Sequence, residues 1–207
     1  MAEHWTDREH SDESFDDADL LEAELSGCRF TNCGFRGTRM VDAVTESCVF
    51  DSCDFTAAHL GGSTHRRSAF LRCHCTLTGL FSARFEGCKA TGSTFEKAGL
   101  SGLIIIGGDW SYVDLQGHNL KGINLRKVRL VEANLSDSNL EKADLRDADL
   151  SGASLFRALL GGADLRAANL SRVDMLELDL SGVRLDVPQA VMLARAHGAR
   201  VDFEDEE

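Results

Sequence analysis

The 207-residue sequence lacks long apolar runs, clustered basic residues and the common catalytic motifs. No apolar run, the most hydrophobic being Leu103 to Ile106, approaches the ~20 residues that span a bilayer. The N-terminal stretch MAEHWTDREHSDE is polar and has no signal-peptide core, so we expect a cytoplasmic protein without membrane contact. Glycine-rich phosphate loops, nucleophile elbows and HExxH motifs do not occur, and we therefore expect neither an enzyme nor a cofactor.

Positive charge is scarce as well. Against 34 Asp and Glu stand only 22 Lys and Arg, which gives a formal net charge of −12. Direct nucleic-acid binding needs clustered Lys and Arg, so this balance argues against it and favours a basic protein partner. Residues 1–14 and 202–207 supply nine of the twelve net negative charges, which leaves a net charge of −3 for residues 15–201. The distribution of these charges over the surface therefore says more than their sum.

A five-residue period runs from Phe15 to Leu185 without insertion or deletion. A large apolar residue, here called the centre, falls at nearly every position divisible by five. A small residue usually stands two places earlier, at what we call the small position. The centres that are not Phe, Leu, Met or Trp are Thr45, His65, Cys75, Ala90 and Ile105. Since five matches neither the period of a helix nor that of a strand, each unit is expected to form one short side of a larger coil.

The pattern, A(D/N)LXX with the variant C(D/x)FXX, resembles that of the pentapeptide-repeat family over residues 15–185. The resemblance implies an all-β solenoid, namely a right-handed quadrilateral β-helix with four pentapeptides to a coil, and a short C-terminal α-helix follows it here. Residues twenty apart should then stack, as Phe30 and Phe50 would. We divide the chain into an acidic N-terminal tail or cap (1–14), the β-helix (15–185) and a C-terminal capping or dimerisation helix with an acidic tail (186–207).

Two stretches depart from the pattern. Thr45 and His65 are twenty apart in one column of centres, and we predict a local irregularity there. Residues 103–112, LIIIGGDWSY, put Leu103 and Gly108 at small positions. This second stretch either bends the rod or changes the coil between a Phe-rich and a Leu-rich half, or it is a tolerated imperfect coil; the sequence leaves both open.

The seven cysteines invite a zinc-site or disulfide interpretation, but the register argues against both. All except Cys75 occupy small positions, and these are Cys28, Cys33, Cys48, Cys53, Cys73 and Cys88. We therefore expect reduced, buried thiols that act as small apolar side chains, and no metal site. His74 should point outward between two inward neighbours, and His65 at a centre is expected to be a satisfied or rim histidine and not a catalytic one.

Outward residues sort into four faces, one for each column of centres. The face whose centres run from Phe15 to Met175, here called the acidic face, has a net charge of −5 because eight acids oppose Arg36, Lys97 and Arg157. The acids, which we assign to partner binding, are Asp16, Asp17, Asp54, Glu96, Asp114, Asp137, Asp174 and Glu177. The face centred on Leu25 to Leu185 is near neutral. The alternative for the acidic face is simple solvation.

Aspartates that stand just before a centre have a second possible role. Asp144, Asp149 and Asp164 are at such positions, where a carboxylate can hydrogen-bond its own turn and serve no partner.

The pentad stops at Leu185, and a helix is predicted over residues 188–197. Asp186 suits the N-cap, Pro188 the first turn and Gly198 the C-terminal stop. The helix either covers the open edge of the solenoid or forms a homodimer interface with the outward Phe156 and Leu176. For that interface the helix would contribute Val187, Val191, Met192, Leu193 and Ala194.

The segment RLDVPQAVMLARAHG, with the uninterrupted repeat, resembles the Qnr and MfpA group of the family. That resemblance implies a homodimer through the C-terminal end that imitates duplex DNA, binds DNA gyrase, a type II topoisomerase, and modulates or protects it from fluoroquinolones or gyrase-targeting toxins. Two rods end to end would measure roughly 80 Å, about 25 base pairs of duplex. The loop insertions of Qnr proteins have no counterpart here, so protection should resemble that of MfpA or of a self-immunity protein. The alternative is an interaction scaffold with a non-topoisomerase protein partner.

Overall fold

The computed structural model describes residues 3–202. Within them lie ten three-residue strands and one helix. In chain order these are β1 (His4–Thr6), β2 (Glu9–Ser11), β3 (Glu24–Ser26), β4 (Arg29–Thr31), β5 (Val44–Glu46), β6 (Val49–Asp51), β7 (Thr64–Arg66), β8 (Ala69–Leu71), β9 (Arg84–Glu86), β10 (Ile104–Ile106) and α1 (Val187–Ala196). After β10 the coils continue as turns joined by single parallel bridges.

All strands pair in parallel with an offset of twenty residues, as His4 with Glu24. The sheets β1-β3-β5-β7-β9-β10 and β2-β4-β6-β8 form two sides of the coil. Rows of single bridges, such as Asp54 with His74, form the other two sides. Since twenty residues are four pentapeptides, the predicted quadrilateral β-helix, a parallel β-solenoid with a short C-terminal helix, is confirmed.

The centres and the small positions point into the coil and form one continuous core. The rings of Phe30, Phe50 and Phe70 stack nearly parallel, with centroids 4.9 Å and 4.8 Å apart. Phe35 stacks on Phe55 at 4.9 Å. These separations equal the spacing of neighbouring strands, so the backbone ladder and the aromatic columns have the same repeat and support each other.

All seven cysteines are buried and free. The thiol of Cys73 donates to the carbonyl of Phe50 at 3.3 Å. Burial raises the pKa of Cys48 and Cys88 to about 11 and that of Cys75 to about 12, because the thiolate is poorly solvated in the core. The expectation of buried thiols that fill small positions is confirmed.

The coil begins about ten residues before Phe15. Strands β1 and β2 come from the segment expected to be an acidic tail or cap, and they pair with β3 and β4. Trp5 and His10 serve as centres, and the imidazole of His10 stacks on the ring of Phe30 at 5.2 Å. The pattern is hidden there because charged residues occupy the small positions at the open end, where solvent reaches them; these are Glu3, Arg8 and Glu13. The first domain boundary therefore moves from residue 15 to the first described residues.

The predicted irregularity at Thr45 and His65 is wrong. Strands β5 and β7 pair in unbroken register, and both side chains are fully buried. The imidazole Nδ1 of His65 lies 2.8 Å from Thr45 Oγ1, and its Nε2 lies 2.9 Å from Ser63 Oγ. Because both ring nitrogens have partners, the ladder needs no distortion. Burial lowers the pKa of His65 to about 3, so the ring is neutral at pH 7.

The irregular stretch 103–112 coincides with an opening of the coil. Two adjacent sides remain closed through the bridges Thr94–Asp114 and Asp109–Arg129. The other two sides would need the bridges Gly99–Asn119 and Ile104–Asn124, and neither forms in this fully described part of the chain. Since the coils separate along two adjacent sides and stay paired along the other two, the structure favours the bend or change of coil over the tolerated imperfect coil.

Bulky residues at small positions explain where the coil opens. The column that holds Ala83 and Ala143 has Leu103 and Ile123 between them, so two large side chains stack where small ones are the rule. The adjacent open side has His118 at its small position. On the closed sides each valine meets a small residue, in the pairs Ser93 with Val113 and Gly108 with Val128. Excess volume in a close-packed core is relieved by backbone movement, here by separation of the coils.

Helix α1 lies within one residue of the predicted bounds. Asp186 is its N-cap and forms a capping box with Gln189, whose backbone N–H donates to Asp186 Oδ1 at 3.0 Å. The buried side chain of Gln189 donates through Nε2 to the carbonyls of Leu165 and Ala168, at 2.5 Å and 2.9 Å. These contacts support the capping interpretation, since the helix is joined to the last part of the solenoid.

Among residues 3–202, no helix has the length and apolarity that crossing a membrane requires.

Candidate partner-binding face

The eight acids assigned to partner binding lie on one side of the rod. Parallel bridges stack residues twenty apart, so Asp54 and Asp114 stand in one row along this side. These two carboxylates are half-buried, whereas the other six acids are exposed. The predicted acidic face is therefore a single surface that extends along the length of the coil.

Part of its charge is compensated within the face. The guanidinium Nε of Arg36 lies 2.9 Å from Asp54 Oδ2, and that of Arg157 lies 3.1 Å from Asp137 Oδ1. Lys97 Nζ lies 3.2 Å from its neighbour, Glu96. Exposed pairs of this kind add little stability, but they reduce the local charge. The acids of this face outside these pairs are Asp16 and Asp17 near one end, Asp114 in the middle, and Asp174 and Glu177 near the other end.

Three of the acids also hold their own turns. Asp54, Asp114 and Asp174 each accept a hydrogen bond through Oδ1 from the backbone amide two residues later, at 2.9 Å, 3.1 Å and 3.0 Å. Partial burial alone would raise the pKa of Asp54, but the hydroxyl and amide of Thr56 and the charge of Arg36 outweigh it and lower the pKa.

The same turn bond confirms the structural role predicted for Asp144, Asp149 and Asp164, which accept from the amides two residues later at 3.2 Å, 3.2 Å and 3.3 Å. Asparagine performs the same task, since Asn134 Oδ1 accepts from the amide of Ser136 at 3.2 Å. This side-chain bond thus needs an oxygen and not a negative charge. An Asp-to-Asn change at these positions can remove charge and keep the turn.

The near-neutral face lies opposite the acidic face and owes its neutrality to paired charges. Arg146 and Arg166 each bind the aspartate two residues earlier, with Nη2 2.6 Å from Oδ2. Arg184 lies 3.5 Å from Asp164, which is shared between coils. The bond from Arg166 is the main reason that the pKa of Asp164 falls to about 2. The rod therefore presents one acidic side and one electrically balanced side.

The residues predicted for the dimer interface divide into two groups. Those with the greater exposure are Phe156 (52%), Leu176 (55%), Val187 (72%) and Met192 (38%). Leu193 instead packs against the core, and Val191 and Ala194 are half-buried. The sequence missed Leu159, which is 55% exposed and follows Phe156 around the corner of the coil.

The apolar strip meets the acidic face at this end of the rod. Phe156, Asp174 and Glu177 line one pocket of about 180 Å³. The final coil also lacks the bridges Ser154–Asp174 and Leu159–Asp179, although all four residues are described. Unpaired backbone, exposed apolar side chains and acids thus lie together near the C-terminal end.

Gln189 is the structural residue that the sequence interpretation missed. Asp186 and Gln189 have the spacing of a capping box, so this signal was present in the sequence. What the spacing could not show is that the amide Nε2 of Gln189 reaches two carbonyls of the solenoid.

No cluster of three or more His, Cys, Asp and Glu side chains within residues 3–202 has a geometry that could hold a metal ion. The arrangement described above is an extended, charged and partly apolar protein surface. Such surfaces recognise other macromolecules by shape and charge.

Comparison with known proteins agrees with this architecture. The chain matches the family described as Pentapeptide repeats, in eight copies, over residues 14–44, 111–147 and 148–186. It is 41% identical over 93 residues to the pentapeptide repeat protein MfpA of Mycobacterium tuberculosis, an alignment that covers 45% of this chain and 51% of MfpA. The chain thus spans about half the length of this relative.

Solved structures with the same fold include QnrB1, described as a plasmid-mediated fluoroquinolone resistance protein. It superposes with a TM-score of 0.82 at 21% identity, over 96% of this chain and 100% of QnrB1. HetL from the cyanobacterium Nostoc sp., described as involved in heterocyst differentiation regulation, superposes with a TM-score of 0.50 at 22% identity, over 88% of this chain and 86% of HetL. At such identities the likeness concerns the fold alone.

Proposed function

The chain belongs to the pentapeptide-repeat family, and on that premise we propose that it is a non-enzymatic DNA mimic that binds DNA gyrase and protects it from quinolones or gyrase-targeting toxins. The observation that carries the proposal is the contrast between the two opposite sides of the rod. One side has a net charge of −5 along its length, and the other is balanced by internal ion pairs. A rod with negative charge along one side presents to a DNA-binding groove a line of negative charge, as the phosphates of duplex DNA do.

The dimensions support this role. About nine coils at ~4.8 Å each give a rod of roughly 40 Å, and two rods joined end to end match about 25 base pairs. The partial identity with MfpA and the fold shared with QnrB1 are consistent with a resistance protein.

We place the dimer contact at the C-terminal end. Phe156, Leu159 and Leu176 are exposed there beside unpaired backbone of the last coil. A two-fold contact at this end would bring Asp174 and Glu177 of both copies to the middle of the double rod. Light scattering should report a dimer at micromolar concentration, and the double variant Phe156→Ser, Leu176→Ser should be a monomer with unchanged far-UV circular dichroism.

The decisive experiment is a gyrase supercoiling assay with and without a fluoroquinolone. We expect the protein to reduce drug-stabilised DNA cleavage at micromolar concentration. Absence of any effect on supercoiling, on cleavage and on gyrase binding in surface plasmon resonance would refute the proposal. Capture of other proteins but no topoisomerase subunit from a lysate would favour the scaffold alternative.

Charge-removing variants test the acidic face itself. The quadruple variant Asp114→Asn, Asp137→Asn, Asp174→Asn, Glu177→Gln keeps the turn oxygens and removes four charges. It should bind gyrase at least about tenfold more weakly, chiefly through slower association and a smaller salt dependence. A matched control, Asp19→Asn, Asp109→Asn, Asp149→Asn, Asp179→Asn, also removes four charges, but from other faces, and should bind like the wild type. Equal effects of the two sets would show that only net charge matters and would refute the assignment of this face.

A further inference from the structure

The opening between the coils forms a cleft of about 600 Å³ near the middle of the rod. It lies on the two sides that do not include the acidic face, and its lips are residues 100–106 and 119–124. The opening at the last coil contains a pocket of only about 180 Å³. A groove of about 700 Å³ also lies on the acidic face beside the bridged pair Thr94 and Asp114, so the cleft is distinguished by its unpaired backbone and not by its volume.

Backbone groups on both lips are left without the partners that they have one coil earlier. There, the amides of Leu80 and Ser82 donate to the carbonyls of Gly99 and Ser101 at 2.9 Å and 3.0 Å. At the cleft, the equivalent donors are the amides of Leu100 and Gly102 on one lip and of Asn119 and Asn124 on the other. In this described stretch these four amides form no hydrogen bond with backbone or side chains. Strand β10 is consequently the edge of its six-stranded sheet.

Side chains around the cleft define the chemistry of an occupant. Leu103 and Ile123 are large apolar side chains between the lips, and Ile104 and Ile106 are 41% and 47% exposed beside it. The charged residues that line the cleft and the adjoining pocket are all basic, namely Lys121, Arg126 and Lys127. Lys121 and Arg126 pair with Glu141 and Asp147 of the next coil, and Lys127 has no ion pair among the described residues. In a chain with a net charge of −12, the rim therefore keeps a small positive excess, which rests mainly on Lys127.

We propose that this cleft is a docking slot for an extended acidic segment of a partner polypeptide, which would bind by strand addition to the edge of β10. Unpaired amides and carbonyls on two facing lips are complementary to an extended backbone. Every second side chain of the segment would face the core and be apolar, and the side chains between them would be acidic and face the basic rim. The site is separate from the acidic face, and its test does not depend on the proposed function.

Hydrogen exchange of the unbound protein tests the premise. The amides of Leu100, Gly102, Asn119 and Asn124 should exchange at least about a hundredfold faster than matched amides one coil earlier, which are Leu80, Ser82, Gly99 and Ile104. Equal protection of the two sets would show a closed ladder in solution and would overturn the proposal.

Peptide binding tests the occupant. The probe is a fluorescein-labelled seven-residue peptide that alternates glutamate with valine, and binding is followed by fluorescence polarisation and by protection of the four cleft amides. A peptide with two N-methylated amides should bind at least about tenfold more weakly, because it lacks backbone donors. A lysine–valine peptide should bind more weakly still. Failure of the acidic peptide to bind at millimolar concentration, or equal binding of all three peptides, would overturn the proposal.

Two variants locate the site. Arg126→Glu with Lys127→Glu changes two exposed side chains, of which Arg126 is paired with Asp147 at 3.0 Å, and should reverse the preference between the acidic and the basic peptide. Leu103→Ala with Ile123→Ala restores the small residues found elsewhere in that column, so the ladder should close, the cleft amides should become protected and binding should be lost. Binding of the acidic peptide that survives in both variants would place it elsewhere and refute the proposal.

Discussion

Gly108→Ala should destabilise the rod far more than the same change at the preceding glycine. Gly108 has a φ of +96°, and a Cβ there would lie 2.1 Å from the carbonyl oxygen of Cys88. That oxygen accepts the amide of Asp109 at 3.0 Å, in the pairing of this coil with the preceding one. The backbone conformation costs an alanine roughly 1–2 kcal/mol. Relief of the clash costs about 1–3 kcal/mol more, so the expected loss of unfolding free energy is about 2–5 kcal/mol.

Gly107→Ala is the matched control. Gly107 has a φ of +61°, and among the described residues no heavy atom beyond its two chain neighbours lies within 4 Å of its added Cβ. Lys127 has the same φ of 61° at the equivalent position one coil later, so only the backbone cost of about 1 kcal/mol is expected. Urea unfolding followed by tryptophan fluorescence and circular dichroism measures both variants. Losses that agree within error would refute the reasoning, since the difference rests on the contact with the backbone of Cys88 and on the larger positive φ of Gly108.

Three further perturbations test the core and the cap. The folded pKa of His65, about 3, lies below the ordinary value of about 6.5, so its contribution to stability is fully present above pH 6.5 and is lost as the pH falls toward 3. In His65→Leu, the free energy of unfolding in urea should therefore depend less on pH between pH 7 and pH 4. An unchanged pH dependence would contradict this. The seven thiols should resist Ellman's reagent at pH 8 for hours in the folded protein and all react in urea, whereas rapid reaction of any thiol in the fold would show an open core. Gln189→Leu should lower the unfolding free energy by about 1–3 kcal/mol, because it removes both bonds to the solenoid, while exposed Arg195→Ala should change it by less than about 0.5 kcal/mol.

Most of the fold could be predicted because the signal is periodic. A register of five with stacking at twenty is enough to assign the phenylalanine columns, the buried cysteines and the grouping of acids on one face. The start of the coil was missed because the charged residues at its small positions break the pattern, although Trp5 and His10 keep the phase. The turn bonds of Asp54, Asp114 and Asp174 were missed for another reason, namely that a residue before a centre faces both its own turn and solvent.

The prediction of an irregularity at Thr45 and His65 was wrong because it considered one column of centres without its neighbours. The two residues looked foreign to an apolar column, but Ser63 and Ser68 from neighbouring positions satisfy them, and this network exists only when several coils are assembled. The bulky pair Leu103 and Ile123 could be recognised in the sequence as exceptions. Their consequence could not, because whether a core absorbs extra volume or opens depends on the neighbouring sides.

The sequence by itself determined the coil, its period, the inward and outward residues and the sign of each face, because those properties follow from the position of a residue within the pentapeptide. Only the tertiary structure decided which charges are cancelled by ion pairs, where the ladder opens, and how Gln189 joins the helix to the solenoid. Apart from ion pairs within one pentapeptide, such as Arg146 with Asp144, these features depend on contacts between residues about twenty or more positions apart. There, side-chain volume and hydrogen-bond geometry, not sequence period, set the outcome.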